Sequence, residues 1–180
     1  MAELAAVRRS PAVAATAGLR SLPPATRFIL RGTAEAIRIA GLALSVDIEQ
    51  SACRASTAAA NAALWLGPDE YLLLAPAAEG AAIALALQAA LQREPHSLVD
   101  VSHRQTALEI SGPRAAEILN SGCPLDLDPA AFPVGMCTRT VFAKAEIVLW
   151  RTSVDIFRLE VWRSFTDYVA RYLAQVAREY

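Results

Sequence analysis

The pattern of hydrophobic and polar positions in the first half predicts short strands and amphipathic helices. The run TRFILRG, from Thr26, is typical of a strand, and TAEAIRIAGLAL is predicted to be a helix with Thr33 as its N-cap. The run LWLGPDEYLLLAP divides at Gly67-Pro68-Asp69 into two strands joined by a tight turn. A helix of about 15 residues should follow from Ala77, because aliphatic side chains recur there every four positions. These side chains are Ile83, Leu87 and Leu91.

The second half of the chain repeats this order. TALEISG is predicted to be a strand, and PRAAEILNSG a helix with Pro113 just inside its start and Gly122 just past its end. After the Pro-rich connector CPLDLDPAAFPVG, the runs CTRTVFAKAEIVLW and DIFRLEVWR are predicted to pair as strands around the turn RTSVD. The final helix, SFTDYVARYLAQVA, should begin with a capping box formed by Ser164 and Asp167. Its predicted inward stripe consists of Phe165, Val169, Tyr172 and Val176.

The two halves also correspond in detail. ALWLGPDEYLLLA and VLWRTSVDIFRLEV share Leu-Trp, a polar turn that holds Asp, an aromatic residue and alternating aliphatic residues. A strand-helix-strand-strand-helix order repeated twice predicts an α+β fold, with helices packed on antiparallel or mixed sheets. We expect a flexible N-terminal leader and a single compact body made of two similar halves. The expected bounds are 1–20 for the leader, 21–180 for the body, and 21–98 and 99–180 for its halves.

Composition narrows the class of protein. Lys and Arg number 17 against 18 Asp and Glu, and a net charge of −1 gives no electrostatic footprint for nucleic acid or an anionic membrane. Hydrophobic residues make up 54%, which fits either an ordinary Ala-rich protein or one that covers part of its surface with another subunit.

The most apolar window, from Tyr71, is interrupted by Pro76 and Glu79, so it does not predict a transmembrane helix. The N-terminus lacks the apolar core of a secretory signal, and we expect a cytoplasmic protein.

Residues that could hold a metal or a nucleotide cofactor are sparse. Cys53, Cys123 and Cys137 are an odd, widely spaced set, which favours reduced thiols over a disulfide framework. Together with His96 and His103 they give no recognisable metal-ligand spacing, so we predict no bound metal. The 8 glycines form neither GxGxxG nor GxxxxGK[ST], and clustered glycines are what lets a backbone approach phosphates closely. We therefore predict that this chain by itself holds no flavin or nicotinamide cofactor.

The stretch DVSHR places Asp100, Ser102 and His103, the residue types of a hydrolase triad, within four positions. Neighbours in an extended segment project to opposite faces, so Asp100 and Ser102 should share one face while His103 points away. No GxSxG motif accompanies them. We therefore favour a structural interpretation, in which Asp100 and Ser102 are turn or capping groups and His103 bonds to the backbone.

Trp162 is the aromatic residue with the least obvious role. In the strand FRLEVWR, the alternation of side chains puts Trp162 on the polar face with Arg158 and Glu160. It is therefore either a partly covered side chain or an anchor for a partner surface, where Trp and Arg concentrate.

Long runs of the chain resemble the gamma-subunit family of heterotetrameric sarcosine oxidases. The runs are DVSHRQTALEISGPRAAEILNSGCPLDLDP and FPVGMCTRTVFAKAEIVLWRTSVDIFRLEVWRSFTDYV, and LWLGPDEYLLLAP fits the same family. The resemblance implies a cytoplasmic bacterial complex that oxidatively demethylates sarcosine to glycine. It passes the one-carbon unit to tetrahydrofolate, or releases it as formaldehyde, and makes hydrogen peroxide from oxygen. It also implies alpha, beta and delta partner chains that hold FAD, FMN, NAD and the folate site, and a gamma chain without a known cofactor.

More remotely, the second half is similar to the aminomethyltransferase of the glycine cleavage system and other folate-binding proteins of that fold. Those proteins have a D[LM]S entry, a strand, SGPDA opening a helix, and a later Gly-Gly followed by paired aspartates, one of them catalytic. The first parts match at Asp100–Ser102 and Ser111–Pro113, but the Gly-Gly is missing and the acidic pair falls on Ala145 and Glu146. Folate chemistry requires a carboxylate that is held on a rigid strand at a set distance, and a Glu side chain is one methylene longer than the Asp of those proteins. We expect an inherited fold with an emptied site.

The resulting hypothesis is a non-catalytic gamma subunit whose role is assembly, with no catalytic, cofactor-binding or metal residue in this chain. Apolar surface, including Trp162 and the connector around Phe132, would be covered by the alpha and beta chains. One alternative is a free-standing folate-binding or one-carbon transfer protein that keeps Glu146 as its acid or base. Another is an unrelated α+β structural domain.

Overall fold

Two antiparallel sheets with helices on their outer faces form the part of the chain that our computed structural model describes, residues 18–179. The first sheet contains β2 (Ala25–Gly32), β3 (Ala55–Ala58), β4 (Asn61–Gly67), β5 (Glu70–Pro76) and β6 (His96–Asp100), in the spatial order β3-β4-β5-β2-β6. The second contains β1 (Leu19–Ser21), β7 (Gln105–Ser111), β8 (Cys137–Phe142), β9 (Ala145–Ser153) and β10 (Ile156–Trp162), in the order β1-β7-β10-β9-β8. Helices α1 (Ala34–Leu44) and α2 (Gly80–Leu91) cover the first sheet, and α3 (Ala115–Asn120) and α4 (Thr166–Val176) cover the second. The predicted α+β class is confirmed.

The two halves correspond element by element. The series β2, α1, β3, β4, β5, α2 matches the series β7, α3, β8, β9, β10, α4 in order and in position within its sheet. The remaining strands, β1 and β6, also correspond, but each of them pairs with a strand of the other half. Strand β1 precedes β2 in the chain but pairs with β7, whereas β6 precedes β7 but pairs with β2. Each half therefore contributes its leading strand to the sheet of the other half.

Elements of the first half follow their sequence signals. Thr33 caps α1, because its Oγ1 accepts a hydrogen bond from the Ala36 N–H at 3.1 Å. The predicted pair of strands around Gly67-Pro68-Asp69 is β4 and β5. The helix predicted from Ala77 starts as a 3-10 turn over Ala77–Glu79 and continues as α2. The apolar window is thus divided between β5 and α2, and no helix within residues 18–179 has the length and apolar character to cross a bilayer.

The structure contains strands that the pattern did not predict. CTRTVFAKAEIVLW, expected to be one strand, turns back at Ala143, whose φ of 51° lies in the left-handed region. It forms the hairpin of β8 and β9, in which Phe142 pairs with Ala145. Strands β1, β3 and β6 were also missed, because they are only 3, 4 and 5 residues long. Segments this short carry too little alternation to be recognised.

Helices α3 and α4 begin differently from the predictions. Pro113 lies just outside α3, which begins at Ala115. Arg163–Phe165 form a 3-10 turn before α4, and no side chain caps that helix, so the predicted capping box is wrong. The Thr166 Oγ1 donates to the carbonyl of Trp162 at 3.3 Å, which ties the start of α4 to the end of β10 without capping the helix.

The face that α4 buries is offset from the predicted stripe. Phe165 is exposed, contrary to the prediction, and Tyr172 and Val176 are only partly buried. The offset follows from the 3-10 turn, which delays the first α-helical turn to Thr166. The buried residues of the helix are Thr166, Val169, Ala170 and Leu173.

Three hydrophobic clusters hold the layers together. One lies between the first sheet and its helices, a second between the second sheet and its helices, and a third between the two sheets. The third cluster packs the sheets face to face with the buried side chains Ala62, Leu64, Leu66, Leu72, Leu74, Val101, Cys137 and Val148. The face of β10 opposite its helices is therefore turned toward the first sheet.

The entry of the chain into β1 depends on a glycine. Gly18 has a φ of +82°, and a Cβ at this position would lie 1.9 Å from the Ser111 carbonyl oxygen. Of the predicted leader over residues 1–20, residues 1–17 lie outside the described range, whereas Leu19 and Arg20 belong to β1. The division into a leader and a body stays a prediction.

Candidate functional site

The DVSHR stretch forms the crossover from the first sheet to the second. Asp100 Oδ1 accepts a hydrogen bond from the Ser102 N–H at 2.8 Å, which makes an Asx turn directly after β6. Ser102 Oγ accepts from the Arg27 N–H at 2.9 Å and donates to the Arg27 carbonyl at 3.4 Å. The predicted turn roles of Asp100 and Ser102 are confirmed, and Ser102 ties the crossover to β2.

His103 takes no part in this arrangement. Its side chain is exposed, and no hydrogen bond joins its ring to another of the residues 18–179. The predicted bond from His103 to the backbone is therefore wrong. Ser102 Oγ is engaged by the main chain of Arg27 instead of by an imidazole, so a charge relay of the hydrolase type does not form.

Ala145 and Glu146, where the aminomethyltransferase resemblance places the paired acids, open β9. Ala145 is fully buried beneath the helices of the second half. Glu146 faces the other way with 56% of its side chain exposed, and its Oε1 lies 3.5 Å from Nε of Arg139. This carboxylate is solvated and ion-paired, which differs from a carboxylate held in a closed pocket.

A cleft of about 360 Å³ opens between the two sheets beside Glu146. The first sheet supplies apolar wall residues such as Ile29 and Val99 together with Glu70, and the second sheet supplies charged residues such as Arg139 and Glu146. Arg139 Nη2 bonds to Glu70 Oε1 at 2.8 Å, which joins the sheets at this place. The cleft therefore combines an apolar wall with carboxylates that already have cationic partners.

Trp162 faces this cleft and is half-buried. The guanidinium of Arg104 lies 3.9 Å from the centroid of its ring, a cation–π contact. The polar face of β10 is thus turned toward the first sheet, and one face of the indole is covered within the chain. This contact supports the interpretation of Trp162 as a partly covered side chain.

A buried ion cluster next to the cleft was not foreseen from the sequence. Arg27 Nε lies 2.6 Å from Glu160 Oε2, and Arg158 binds the other oxygen of Glu160 through Nε at 2.7 Å and Nη2 at 2.6 Å. Arg27 and Glu160 are each 1% exposed. The available signal was the charged Arg27 inside the apolar strand TRFILRG. Its partner lies 133 positions away, and the pattern of a single strand cannot indicate such a distant residue.

The cysteines are free thiols, as expected, and Cys123 and Cys137 are buried. Burial raises the pKa of Cys137 to about 12 and also raises the pKa of Cys123. A thiol that stays protonated at neutral pH is a weak nucleophile, so these two side chains serve packing. Among residues 18–179, no three His, Cys, Asp or Glu side chains converge to hold a metal.

The connector around Phe132 packs into the chain's own core. Phe132 is 2% exposed, and its ring lies 6.5 Å from that of Phe157. Arg151 holds the connector, since its Nη1 donates to the carbonyls of Leu127 at 3.2 Å and Phe132 at 2.7 Å. Phe132 itself is therefore buried by this chain, whereas Val134 in the same connector is 49% exposed, and coverage of the connector by partner chains stays a prediction.

Comparison with known proteins identifies the family. A sequence profile of the sarcosine oxidase, gamma subunit family matches residues 32–179. The chain belongs to this family. It is 36% identical over 192 aligned positions to sarcosine oxidase subunit gamma of Corynebacterium sp. (strain P-1), with 99% of this chain and 94% of the relative covered. The same subunit of an Arthrobacter species is 35% identical over the same shares of both chains.

Solved structures agree with the family and with the fold. A chain of the heterotetrameric sarcosine oxidase from Corynebacterium sp. U-96 superposes with a TM-score of 0.81 at 33% identity, covering 89% of this chain and 83% of that one. The glycine cleavage system aminomethyltransferase T from Bartonella henselae superposes with a TM-score of 0.65 at 14% identity, covering 87% of this chain and 45% of that one. The second likeness confirms the predicted aminomethyltransferase-like fold.

Proposed function

We propose that this chain is the gamma subunit of a cytoplasmic heterotetrameric sarcosine oxidase and that its role is assembly instead of catalysis. Support comes from its family and from its similarity to a chain of the heterotetrameric enzyme of Corynebacterium sp. U-96. The proposed complex demethylates sarcosine oxidatively to glycine, with tetrahydrofolate as one-carbon acceptor, and produces hydrogen peroxide. The partners are alpha, beta and delta subunits, which hold FAD, FMN, NAD and tetrahydrofolate.

One observation carries the non-catalytic part of this proposal: the polar groups that the fold resemblance indicated are either engaged in structural contacts or largely solvated. Ser102 Oγ binds the main chain of Arg27, and Asp100 closes a turn. Glu146 is largely solvated beside Arg139. A general acid or base needs its carboxylate held within hydrogen-bond reach of the reacting proton, and nothing in these contacts fixes Glu146 in that way.

We assign the docking surface to the outward face of α2, whose sequence GAAIALALQAAL contains no charged residue. Leu85 on this face is 68% exposed. The corresponding helix of the other half, α4, exposes Asp167 and Arg171 on its outward face, as a solvated helix normally does. The two halves share their architecture, so the uncharged face of α2 is the one that favours coverage by another subunit.

The assembly role can be tested by co-expressing the chain with the alpha, beta and delta subunits. Leu85→Glu should abolish copurification while the circular dichroism spectrum of the chain is retained, because it places a charge in the proposed apolar contact. Val154→Glu is the matched control, since Val154 is 61% exposed in the turn between β9 and β10, and this variant should copurify normally. Normal copurification of Leu85→Glu would contradict the assignment to α2.

The non-catalytic role has a separate readout. Glu146→Ala and His103→Ala should leave turnover per assembled complex within about twofold, since a true acid–base group contributes about 10²–10⁴-fold. A hundredfold loss in a fully assembled Glu146→Ala complex would show that this chain takes part in the chemistry.

A further inference from the structure

A small cavity of about 50 Å³ lies between the two crossovers that join the sheets. The crossover between β1 and β2 contributes Leu22–Pro24 to the lining, and the crossover between β6 and β7 contributes Ser102 and His103. At 10–15 Å³ for each water-sized position, this space corresponds to roughly four positions. It is large enough for the head group of a small ligand.

One residue that lines the cavity, Arg27, has a buried donor without a partner in the described part of the chain. Arg27 is 1% exposed; its Nε binds Glu160, and its Nη1 donates to the Ala25 carbonyl at 3.0 Å. Its Nη2 is buried and makes no hydrogen bond with any of the residues 18–179. Guanidinium N–H groups in protein interiors are normally all paired, so this atom indicates a recognition site.

The charges around Arg27 are unequal. Arg27 and Arg158 share the carboxylate of Glu160, which leaves two cations against one anion in a largely buried cluster. No acidic side chain of the described residues lines the cavity, whereas Arg163 and His103 are exposed beside it. An uncompensated buried charge is unfavourable, and an anion in the cavity would offset the excess.

Gln105 supplies a second polar group to the same cavity. Its amide oxygen is buried and has no partner among the described residues. The oxygen and nitrogen of a glutamine amide exchange places by a half-turn about the last side-chain torsion. Gln105 borders both this cavity and the larger cleft. After this rotation, its amide nitrogen and Arg27 Nη2 are two donors on residues that line the cavity, and two donors are the complement of a carboxylate.

We propose that this cavity binds a small carboxylate, whose oxygens accept from Arg27 Nη2 and the Gln105 amide nitrogen. The carboxylate belongs either to a free small molecule or to an Asp or Glu side chain of a partner subunit. The proposal rests on the charge and hydrogen bonds of this chain, and it stands whether or not α2 is the docking face.

The test titrates sodium acetate, against sodium chloride at matched ionic strength, into the purified full chain and into the co-expressed complex by isothermal calorimetry. Wild-type chain should show saturable heat with acetate alone. Gln105→Glu should weaken acetate binding by at least about tenfold through like-charge repulsion, and Arg163→Gln by about threefold. Arg178→Gln removes an exposed cation outside the cavity lining and should leave binding unchanged.

A second readout does not depend on added ligand. Gln105→Glu places a carboxylate beside Arg27, so it should raise the melting temperature of the chain in acetate-free buffer. Acetate binding to both chain and complex supports a free ligand. Binding to the chain alone, together with weaker assembly of Gln105→Glu, supports a partner carboxylate. The proposal is overturned if acetate produces no more heat than chloride in either preparation and Gln105→Glu neither stabilises the chain nor affects assembly, because the cavity then holds only water.

Discussion

Arg27 Nε and Glu160 Oε2 lie 2.6 Å apart, and the bond joins β2 of the first sheet to β10 of the second. Both side chains are 1% exposed. Desolvation consumes much of the attraction in a buried pair of this kind, but loss of either partner leaves an uncompensated buried charge, so separating the two side chains is costly. The pair therefore fixes the relative position of the two sheets at the point where the cleft begins.

Removal of Glu160 should be severely destabilising. Glu160→Ala leaves Arg27 buried without its anion, and we expect the free energy of unfolding in urea to fall by about 3–5 kcal/mol. The control is Asp69→Asn, which breaks the exposed pair with Arg31 and should cost less than about 1 kcal/mol. Equal losses in the two variants would contradict the structural role of the buried pair.

Ser102 should prove to be a structural residue. Ser102→Ala removes the acceptor of the Arg27 N–H, and the expected loss is about 1–3 kcal/mol of unfolding free energy. Turnover per assembled complex should be unchanged, and a serine-directed phosphonate should not label the chain. Ser164→Ala, at an exposed position, provides the comparison and should leave stability nearly unaltered. Loss of turnover in Ser102→Ala at unchanged stability would instead assign it to the chemistry.

Deprotonation of the Cys137 thiol should lower the stability of the folded chain at alkaline pH. Its pKa is about 12 in the folded chain against an ordinary value of 9.0, so the folded state holds the proton more tightly than the unfolded state. The protonated thiol contributes fully to the free energy of unfolding below pH 9.0. This contribution is lost as pH rises toward 12, at up to about 1.4 kcal/mol per pH unit. Urea titrations between pH 8 and 10.5 should show a steeper decline for wild type than for Cys137→Ala. Parallel curves for the two proteins would count against this assignment.

Arg151 should be irreplaceable by lysine. Its guanidinium also donates to the Val154 carbonyl, and a single ammonium cannot reach that group and the connector carbonyls together. We expect Arg151→Lys to lower the free energy of unfolding by at least about 2 kcal/mol and to speed amide hydrogen exchange over residues 127–136. Arg171→Lys, on the exposed face of α4, should alter neither quantity.

Features with a strong local signal could be predicted from the sequence. The cap at Thr33 and the stripe of Ile83, Leu87 and Leu91 each depend on neighbours within a few positions, and both are present in the structure. The long runs that resemble the gamma-subunit family were equally informative, because their specificity is spread over many residues.

Features that depend on distant partners could not be predicted. Strands β1, β3 and β6 are stable only because a neighbouring strand pairs with them, and their own sequences contain few alternating positions. Ala143 adopts a left-handed backbone conformation in its turn, and the sequence has no glycine at this position to indicate it. The ion pair of Arg27 with Glu160, and hence the charge beside the small cavity, appears only once the sheets face each other.

The exchange of β1 and β6 makes the two halves mutually dependent. A cut within residues 92–95, between α2 and β6, would yield fragments that each carry an edge strand belonging to the other fragment. Expressed alone, either fragment should expose bare main-chain amides and carbonyls at the missing edge and aggregate. Two copies of a single ancestral half could satisfy those edges by swapping their first strands, so the present chain has the topology of a strand-swapped homodimer fused into one polypeptide.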